Sequence, residues 1–358
     1  MDFHRRESSL YLIYSYQAML VQEDVYDKHG AGMKPVLVLG GAGFIGSHTC
    51  KALKQAGYLP IVFDNLVHGH IDAVKWGPFE KGDISNPSDL DRVIEKHRPE
   101  FVMHFAAFAY VGESVQDPAR YYRNNVCGSI TLLDAMRRHG LNRIVFSSSC
   151  ATYGEAGPLP ILETHSQMPV NPYGFTKLVI ERALADYEAA YGIRAVTFRY
   201  FNAAGADPDG ELGERHDPET HAIPLAIRAA LGLGVFKVFG TDYPTPDGTA
   251  IRDYVHVSDL ADAHVRALAY LDEGGKSIAV NLATGAGTSV KQMIGAVERA
   301  LSRPVPSEHV SRRAGDPPSL FASPGRAYDL LGWKPRFTTI DQIVASAAKW
   351  FERHRSRG

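Results

Sequence analysis

The chain has 358 residues and a formal net charge of −2, which gives no reason to expect a nucleic-acid partner and leaves ample length for a substantial core. No apolar run is long enough to cross a bilayer, so no membrane partner is expected. The cysteines Cys50, Cys127 and Cys150 stand singly, without metal spacing or a paired framework, which suits a reducing compartment and a cytoplasmic location.

Residues 1–33 differ from the rest. The stretch Leu10–Val21 is apolar but short, broken by polar residues and without a small-residue cleavage site. It reads as a loosely ordered extension upstream of a start at Met33. From Val36 onward, β-type runs alternate with helical ones, the pattern of an α/β protein with a Rossmann-type doubly wound parallel sheet. Strands are expected over Val36–Leu39, Pro60–Phe63, Glu80–Gly82, Phe101–Phe105, Arg143–Ser147 and Ala195–Arg199, and helices over Ser88–Lys96, Ala119–Arg138 and Pro172–Tyr191. After Asn202 the texture changes to loops rich in Gly, Pro and Asp, followed by Val235–Phe239, the helical Ser258–Leu271, the strand Ser277–Asn281 and the helical Ser289–Leu301. The expected organisation is a dinucleotide-binding domain over 34–202 and a smaller substrate-binding C-terminal lobe over 203–358. Some segments of that lobe, Ser277–Asn281 among them, return to the main sheet.

Three features carry chemistry. First, the strand ending at Leu39 is cut short by Gly40, Gly43 and Gly46, and a helix follows. Glycines there let the backbone approach a pyrophosphate at a helix N-terminus. The next strand, Pro60-Ile-Val-Phe-Asp64, ends in a carboxylate that suits a ribose diol and repels a 2′-phosphate, and no arginine follows it. The cofactor is therefore expected to be NAD rather than NADP. Second, Tyr173 and Lys177 share a helix face at i,i+4, with Asn171 as cap and Pro172 in the first turn. An adjacent ammonium and an oxidised nicotinamide lower a tyrosine pKa towards usefulness as a base. Third, Ser147-Ser148-Ser149 closes the predicted strand Arg143–Ser147 and brings hydroxyls to the cofactor edge of the sheet.

The chain resembles the extended short-chain dehydrogenase/reductase superfamily and, within it, the UDP-glucose 4-epimerases. The resemblance runs from about Lys34 to Phe351. It rests on Gly40-Gly-Ala-Gly-Phe-Ile-Gly-Ser-His-Thr-Cys50, His104-Phe-Ala, Val111-Gly-Glu-Ser-Val115, Tyr121-Tyr-Arg-Asn-Asn-Val126, Phe146-Ser-Ser-Ser-Cys-Ala-Thr-Tyr-Gly154, Asn171-Pro-Tyr-Gly174 and Arg199-Tyr-Phe-Asn202. In the second lobe it rests on Phe239-Gly-Thr-Asp-Tyr-Pro-Thr-Pro-Asp-Gly248 and Arg252-Asp-Tyr-Val-His256. It implies that Tyr173 takes the proton from the sugar 4-hydroxyl, that Ser149 shares that hydrogen bond, and that Lys177 holds the nicotinamide ribose. It further implies cofactor contacts from Gly40, Gly43, Phe44, Ile45, Gly46, Asp64, Asn65, Asp83, Ile84, Phe105, Ala106, Ala107, Asn124 and Phe201, besides Tyr173 and Lys177. The UDP-sugar would be met by Asn202, His221, Phe239, Arg252, Arg313, Asp316 and Leu320, besides Ser149 and Tyr173. Guanidinium groups suit such a diphosphate. A homodimer paired through the helices Ala119–Arg138 and Pro172–Tyr191 is implied as well.

The chain departs from the family pattern at three places. The lysine of the H-F-A-G-L-K segment is missing from His104-Phe-Ala-Ala-Phe-Ala109, His221 replaces a common asparagine, and Leu320 aligns with the bulk-determining position beside the sugar. These leave UDP-arabinose/UDP-xylose and UDP-N-acetylglucosamine open as alternative substrates. A 4,6-dehydratase would place a carboxylate just after the serine position, where Cys150-Ala-Thr stands, and a non-catalytic NAD-binding protein would have no need of both Tyr173 and Lys177. No H-E-x-x-H spacing occurs, so no catalytic metal is expected. Cys150 reads as a packed thiol, Glu113 as structural, His256 and Asp259 as supports of the Arg252 loop, and Lys51 and Lys54 as a solvated helix face.

Overall fold

The computed structural model describes residues 32–155, 157–313 and 316–354. Most of the N-terminal extension therefore lies outside the described residues. The apolar run before the glycines forms β1 (Pro35–Leu39), flanked in parallel by β2 (Leu59–Asp64) on one side. Beyond β2 lies β3 (Phe79–Lys81); on the other side of β1 come β4 (Phe101–His104), β5 (Arg143–Ser149) and β6 (Arg194–Tyr200), all parallel. The order β3-β2-β1-β4-β5-β6 reverses direction between β1 and β4, the switch point where such sheets bind ligands.

The strands alternate their buried side chains between two layers. Val36, Val38, Val62, Met103, Val145 and Val196 pack with Cys50 and Leu53 of helix Phe44–Gln55 and with helix Val257–Asp272. Leu37, Leu39, Ile61, Phe63, Val102 and Phe146 face the other way, onto helices Pro87–His97, Gly128–Arg138 and Pro172–Tyr191. Burial on both faces explains why the strands read as continuous apolar runs.

The second lobe begins with β7 (Asn202–Ala204) and β8 (Phe236–Phe239). Next come β9 (Ile251–Arg252) and β10 (Tyr254–His256), the latter paired in parallel with β7. The chain then returns to the main sheet, where β11 (Ile278–Leu282) joins the free edge of β6. It leaves again through β12 (Thr288–Ser289), β13 (Ser307–Val310), which pairs with β8, and β14 (Ser319–Leu320), which pairs with β9. Helices Ala222–Ala230, Val290–Leu301 and Ile340–Arg353 close over a separate core around Ile227, Met293 and Val344. Among the described residues, no helix is long and apolar enough to cross a membrane.

Several details differ from the sequence reading. The helix expected over Ala119–Arg138 is interrupted by a π-helical turn, Tyr122–Cys127, which turns Asn125 onto the backbone of Phe108 and the Thr176 hydroxyl. β5 runs two residues past Ser147, so Ser149 is its last strand residue. Lys51 is not solvated: its ammonium is buried among Asp207, Asp209 and Glu211. His256 and Asp259 support a different segment. His256 stacks on Phe337 with ring centroids 3.7 Å apart, and Asp259 accepts the Arg336 and Phe337 N–H groups.

Candidate active site

The glycine turn is built for close approach. Gly40 has φ +77°, and a Cβ there would lie 2.6 Å from the Ala106 nitrogen; a Cβ on Gly46 would lie 2.2 Å from the Gly40 carbonyl oxygen. Helix Phe44–Gln55 thus starts directly on the turn, with Gly43 as N-cap, no side-chain cap and no acidic residue in its first turn. The first-turn N–H groups at Phe44, Ile45 and Gly46 are left for an anion. A dinucleotide diphosphate fits this cradle.

At the end of β2, Asp64 accepts the Ala42 N–H at 3.0 Å and the Leu66 N–H at 2.8 Å. Burial pushes its carboxyl above the usual range, against the pull of those N–H groups. Asn65 donates to Asp83 at 2.8 Å, and Ile84 is buried beside them. A cleft of about 450 Å³ continues along Asp83, Ser85, Phe108, Arg123 and Asn124. At the switch point, the Phe105 and Ala106 N–H groups both point at the Leu39 carbonyl, and Ala107 follows, half-buried. The observation that fits these residues to NAD is the uncapped helix start on the close-packed glycine turn, with the Asp64 carboxylate at the end of the next strand.

The reacting end forms where β5 meets helix Pro172–Tyr191. The Asn171 side chain caps that helix through the Gly174 N–H at 2.8 Å, and Pro172 opens it. Tyr173 and Lys177 consequently face β5 together. Lys177 Nζ donates to the Ser147 carbonyl at 2.7 Å and lies 5.0 Å from the Phe146 ring centre. Ser149 lies beside the Tyr173 phenol and favours its ionised form. Burial pushes the Tyr173 phenol up to about 12 despite Ser149, and lowers Lys177 to about 7 despite Glu181. In the protein alone, desolvation is the largest influence on the phenol. Cys150, next in the chain, has its thiol pushed up to about 12 by burial, which suits a packed side chain.

Sequence reasoning missed the layer beneath. Glu181 receives a two-pronged contact from Arg199, 2.6 Å at its shortest, and also accepts from the Ser148 hydroxyl. Arg199 continues to the Tyr153 hydroxyl at 3.0 Å, and Tyr153 to Asn281 at 2.7 Å. The available signal was the spacing: Glu181 lies one turn beyond Lys177 on the face that Tyr173 and Lys177 share.

On the second lobe, Arg252 pairs with Asp316, and the Arg313 guanidinium sits 3.8 Å from the Phe239 ring centre. Asn202 donates to the Asp253 carbonyl at 2.9 Å. Leu320 stands opposite Arg252 in the β14–β9 register and packs against the small cluster of Tyr153, Ile161, Phe201, Ala283 and Ala322. Cys150, the residue that follows Ser149, packs against the same cluster, in which Phe201 is itself buried. His221 lies apart from these, between Glu214 and Glu219. Against the cost of burial, those two carboxylates hold its imidazole up to about 10.

A doubly wound sheet with an uncapped glycine-turn helix and a Ser-Tyr-Lys constellation at its carboxyl edge defines an enzyme of the dinucleotide-dependent short-chain type. A family model described as "NAD dependent epimerase/dehydratase family" matches residues 36–283. The chain belongs to that family. It is 56% identical over 316 residues to a UDP-glucose 4-epimerase of Rhizobium leguminosarum bv. trifolii, covering 88% of this chain and 96% of that one. Its structure is similar to the Brucella ovis UDP-glucose 4-epimerase in complex with NAD, with a TM-score of 0.87 and 56% identity over 89% of this chain and 98% of that one. The Bifidobacterium longum UDP-glucose 4-epimerase in complex with NAD+ and UDP is similar at a TM-score of 0.85 and 37% identity, covering 90% of this chain and 99% of that one.

Proposed function

We propose that the chain is a UDP-glucose 4-epimerase, interconverting UDP-galactose and UDP-glucose by inversion at C4 of the hexose. The observation that carries this is Lys177, one turn beyond Tyr173 and anchored on the Ser147 carbonyl of the strand that ends at Ser149, at the sheet edge that also bears the dinucleotide cradle. Bound NAD would supply the reversible hydride acceptor that such an inversion at C4 needs.

The chain's own residues do the rest. Tyr173 takes the 4-hydroxyl proton and gives it back, with Ser149 holding that hydroxyl in line. Lys177, fixed by the Ser147 carbonyl, positions the nicotinamide ribose. Gly40, Gly43, Phe44, Ile45 and Gly46 receive the cofactor diphosphate; Asp64 and Asn65 receive the adenosine ribose, and Asp83 and Ile84 the adenine. Phe105, Ala106, Ala107, Asn124 and Phe201 line the remaining cofactor wall. Arg252 and Arg313 bind the UDP diphosphate, supported by Asp316 and Phe239, while Asn202 and Leu320 border the sugar nucleotide. Cys150, Ala151 and Thr152 follow Ser149 without a carboxylate, so no acid stands ready to expel a 6-hydroxyl.

The chain acts in the cytoplasm as a homodimer. Exposed Phe175, 6.3 Å from the Tyr122 ring across the two helices, supports pairing on that face. Incubating the purified protein with UDP-galactose and no added NAD tests the activity. Formation of UDP-glucose is expected. Absence of conversion even after NAD is supplied overturns the proposal.

A further inference from the structure

Buried carboxylates need compensating positive charge, and the loop that opens the second lobe obtains it in two different ways. In its first half the cation is Lys51, whose ammonium lies 2.9 Å from Asp207, 2.6 Å from Asp209 and 2.7 Å from Glu211. A few residues on, the side chains of Glu214 and Glu219 are each only 4% exposed; Glu219 Oε1 accepts the Thr220 and His221 N–H groups, and every ion-pair partner found for the two carboxylates among the described residues is an imidazole, His216 or His221. One divalent cation bound by both carboxylates and both imidazoles would meet the same need, displacing the imidazole protons.

The geometry points to such an ion. His216 Nδ1 lies 3.3 Å from Glu214 Oε1 and 3.7 Å from Glu219 Oε2; His221 Nδ1 lies 3.0 Å from Glu214 Oε1 and 2.9 Å from Glu219 Oε1. One ligand atom from each of the four residues falls within 4.8 Å of all the others. Metal bonds of about 2.0–2.1 Å in a tetrahedron set neighbouring ligands about 3.3 Å apart, and the four separations straddle that edge. His216 Nδ1, closed off from solvent, has no partner in hydrogen-bond geometry despite its two carboxylate neighbours. A buried nitrogen near two carboxylates, with a hydrogen bond to neither, leaves its lone pair open to a metal ion.

We propose that Glu214, His216, Glu219 and His221 form a structural zinc site. The mixed nitrogen and oxygen donors suit Zn2+ better than Mg2+ or Ca2+, which prefer oxygen alone. Four protein ligands close the coordination shell, so the site holds a loop and activates no water. It anchors the turn that leads into helix Ala222–Ala230, beneath the Tyr110 ring, whose centre is 5.9 Å from that of His216. Nothing in the site depends on the epimerase reading.

The test uses the tag-free, full-length protein as purified. Elemental mass spectrometry is expected to find about one zinc per chain, and chelation followed by Co2+ is expected to produce the intense visible bands of tetrahedral cobalt. Glu219→Gln and His216→Ala, both outside the proposed reaction machinery, should each reduce retained zinc at least about 10-fold, the loss that even an outer-shell partner causes. Circular dichroism and retained NAD report whether each variant has folded. Wild-type protein that retains no zinc above buffer and gives no tetrahedral cobalt bands overturns the site, leaving two carboxylate–imidazolium pairs in its place. Unchanged zinc content in both folded variants overturns it equally.

Discussion

Lys177 Nζ donates to the Ser147 carbonyl at 2.7 Å, so the helix carrying Tyr173 is latched to the strand that ends at Ser149. The latch sets the spacing between base and hydroxyl without a contribution from any loop. It also costs something: a fully desolvated amine, held by one carbonyl, is a weak cation until a ligand joins it.

Replacing Tyr173 with Phe removes the proton acceptor and keeps the ring. Steady-state kinetics should show kcat reduced about 10²–10⁴-fold, the usual worth of a positioned acid–base group. UDP affinity measured by calorimetry should stay close to wild type, because the phenol hydroxyl meets the sugar and not the nucleotide. Activity at the wild-type level in this variant would remove Tyr173 from its proposed role.

Lys177 gives a pH signature in the cofactor-stripped protein. Its pKa in the fold is about 7 against an ordinary 10.5, lowered chiefly by burial. Between those values the unfolded chain binds a proton that the folded chain has released, so stability rises with pH across the window. Urea midpoints of stripped protein should therefore climb from neutral pH towards pH 10, and the climb should flatten in Lys177→Met. A slope unaltered by the substitution would assign the effect to other groups.

Gly46→Ala places a methyl 2.2 Å from the Gly40 carbonyl oxygen, a backbone atom that cannot rotate away. A loss of about 1–3 kcal/mol in stability is expected from the forced shift. NAD co-purifying with the protein should fall as well, since the same shift displaces the first-turn N–H groups. Full NAD content with an unchanged melting temperature would mean that the cradle is more pliant than its packing implies.

The Glu181–Arg199 pair is almost fully buried and touches Ser148, one residue from the end of the latch strand. Glu181→Gln strands the guanidinium, at an expected cost of about 3–5 kcal/mol in urea unfolding. Glu181→Met combined with Arg199→Met should recover much of that loss, because the desolvated charge disappears from both sides. A double variant as unstable as the sum of the singles would show that the two residues act independently.

Much of this architecture is legible in the sequence, for identifiable reasons. Strands buried on both faces leave continuous apolar runs, and the glycine turn, Asp64 and the Tyr173–Lys177 spacing are all local patterns. The π-helical turn at Tyr122–Cys127 left no local trace; what accompanies it is a long-range contact, Asn125 reaching Thr176. Lys51 was misjudged for the same reason, since its three carboxylates lie more than 150 residues further along the chain. The Glu214–His221 cluster is local in sequence, yet its spacing matches no familiar ligand motif, and only the folded loop turns its four side chains to one point.

Lys51 projects from the helix whose first turn forms the diphosphate cradle, and its three carboxylate partners belong to the opening loop of the other lobe. Arg215 of that loop also grips Asp72, with contacts of 2.6 and 2.9 Å. The helix that opens on the cradle and the opening loop of the second lobe are therefore buckled together by ion pairs, which a rise in ionic strength weakens where they are exposed. For a reaction with no net oxidation, lobes that stay joined carry no penalty, because the same dinucleotide serves every turnover.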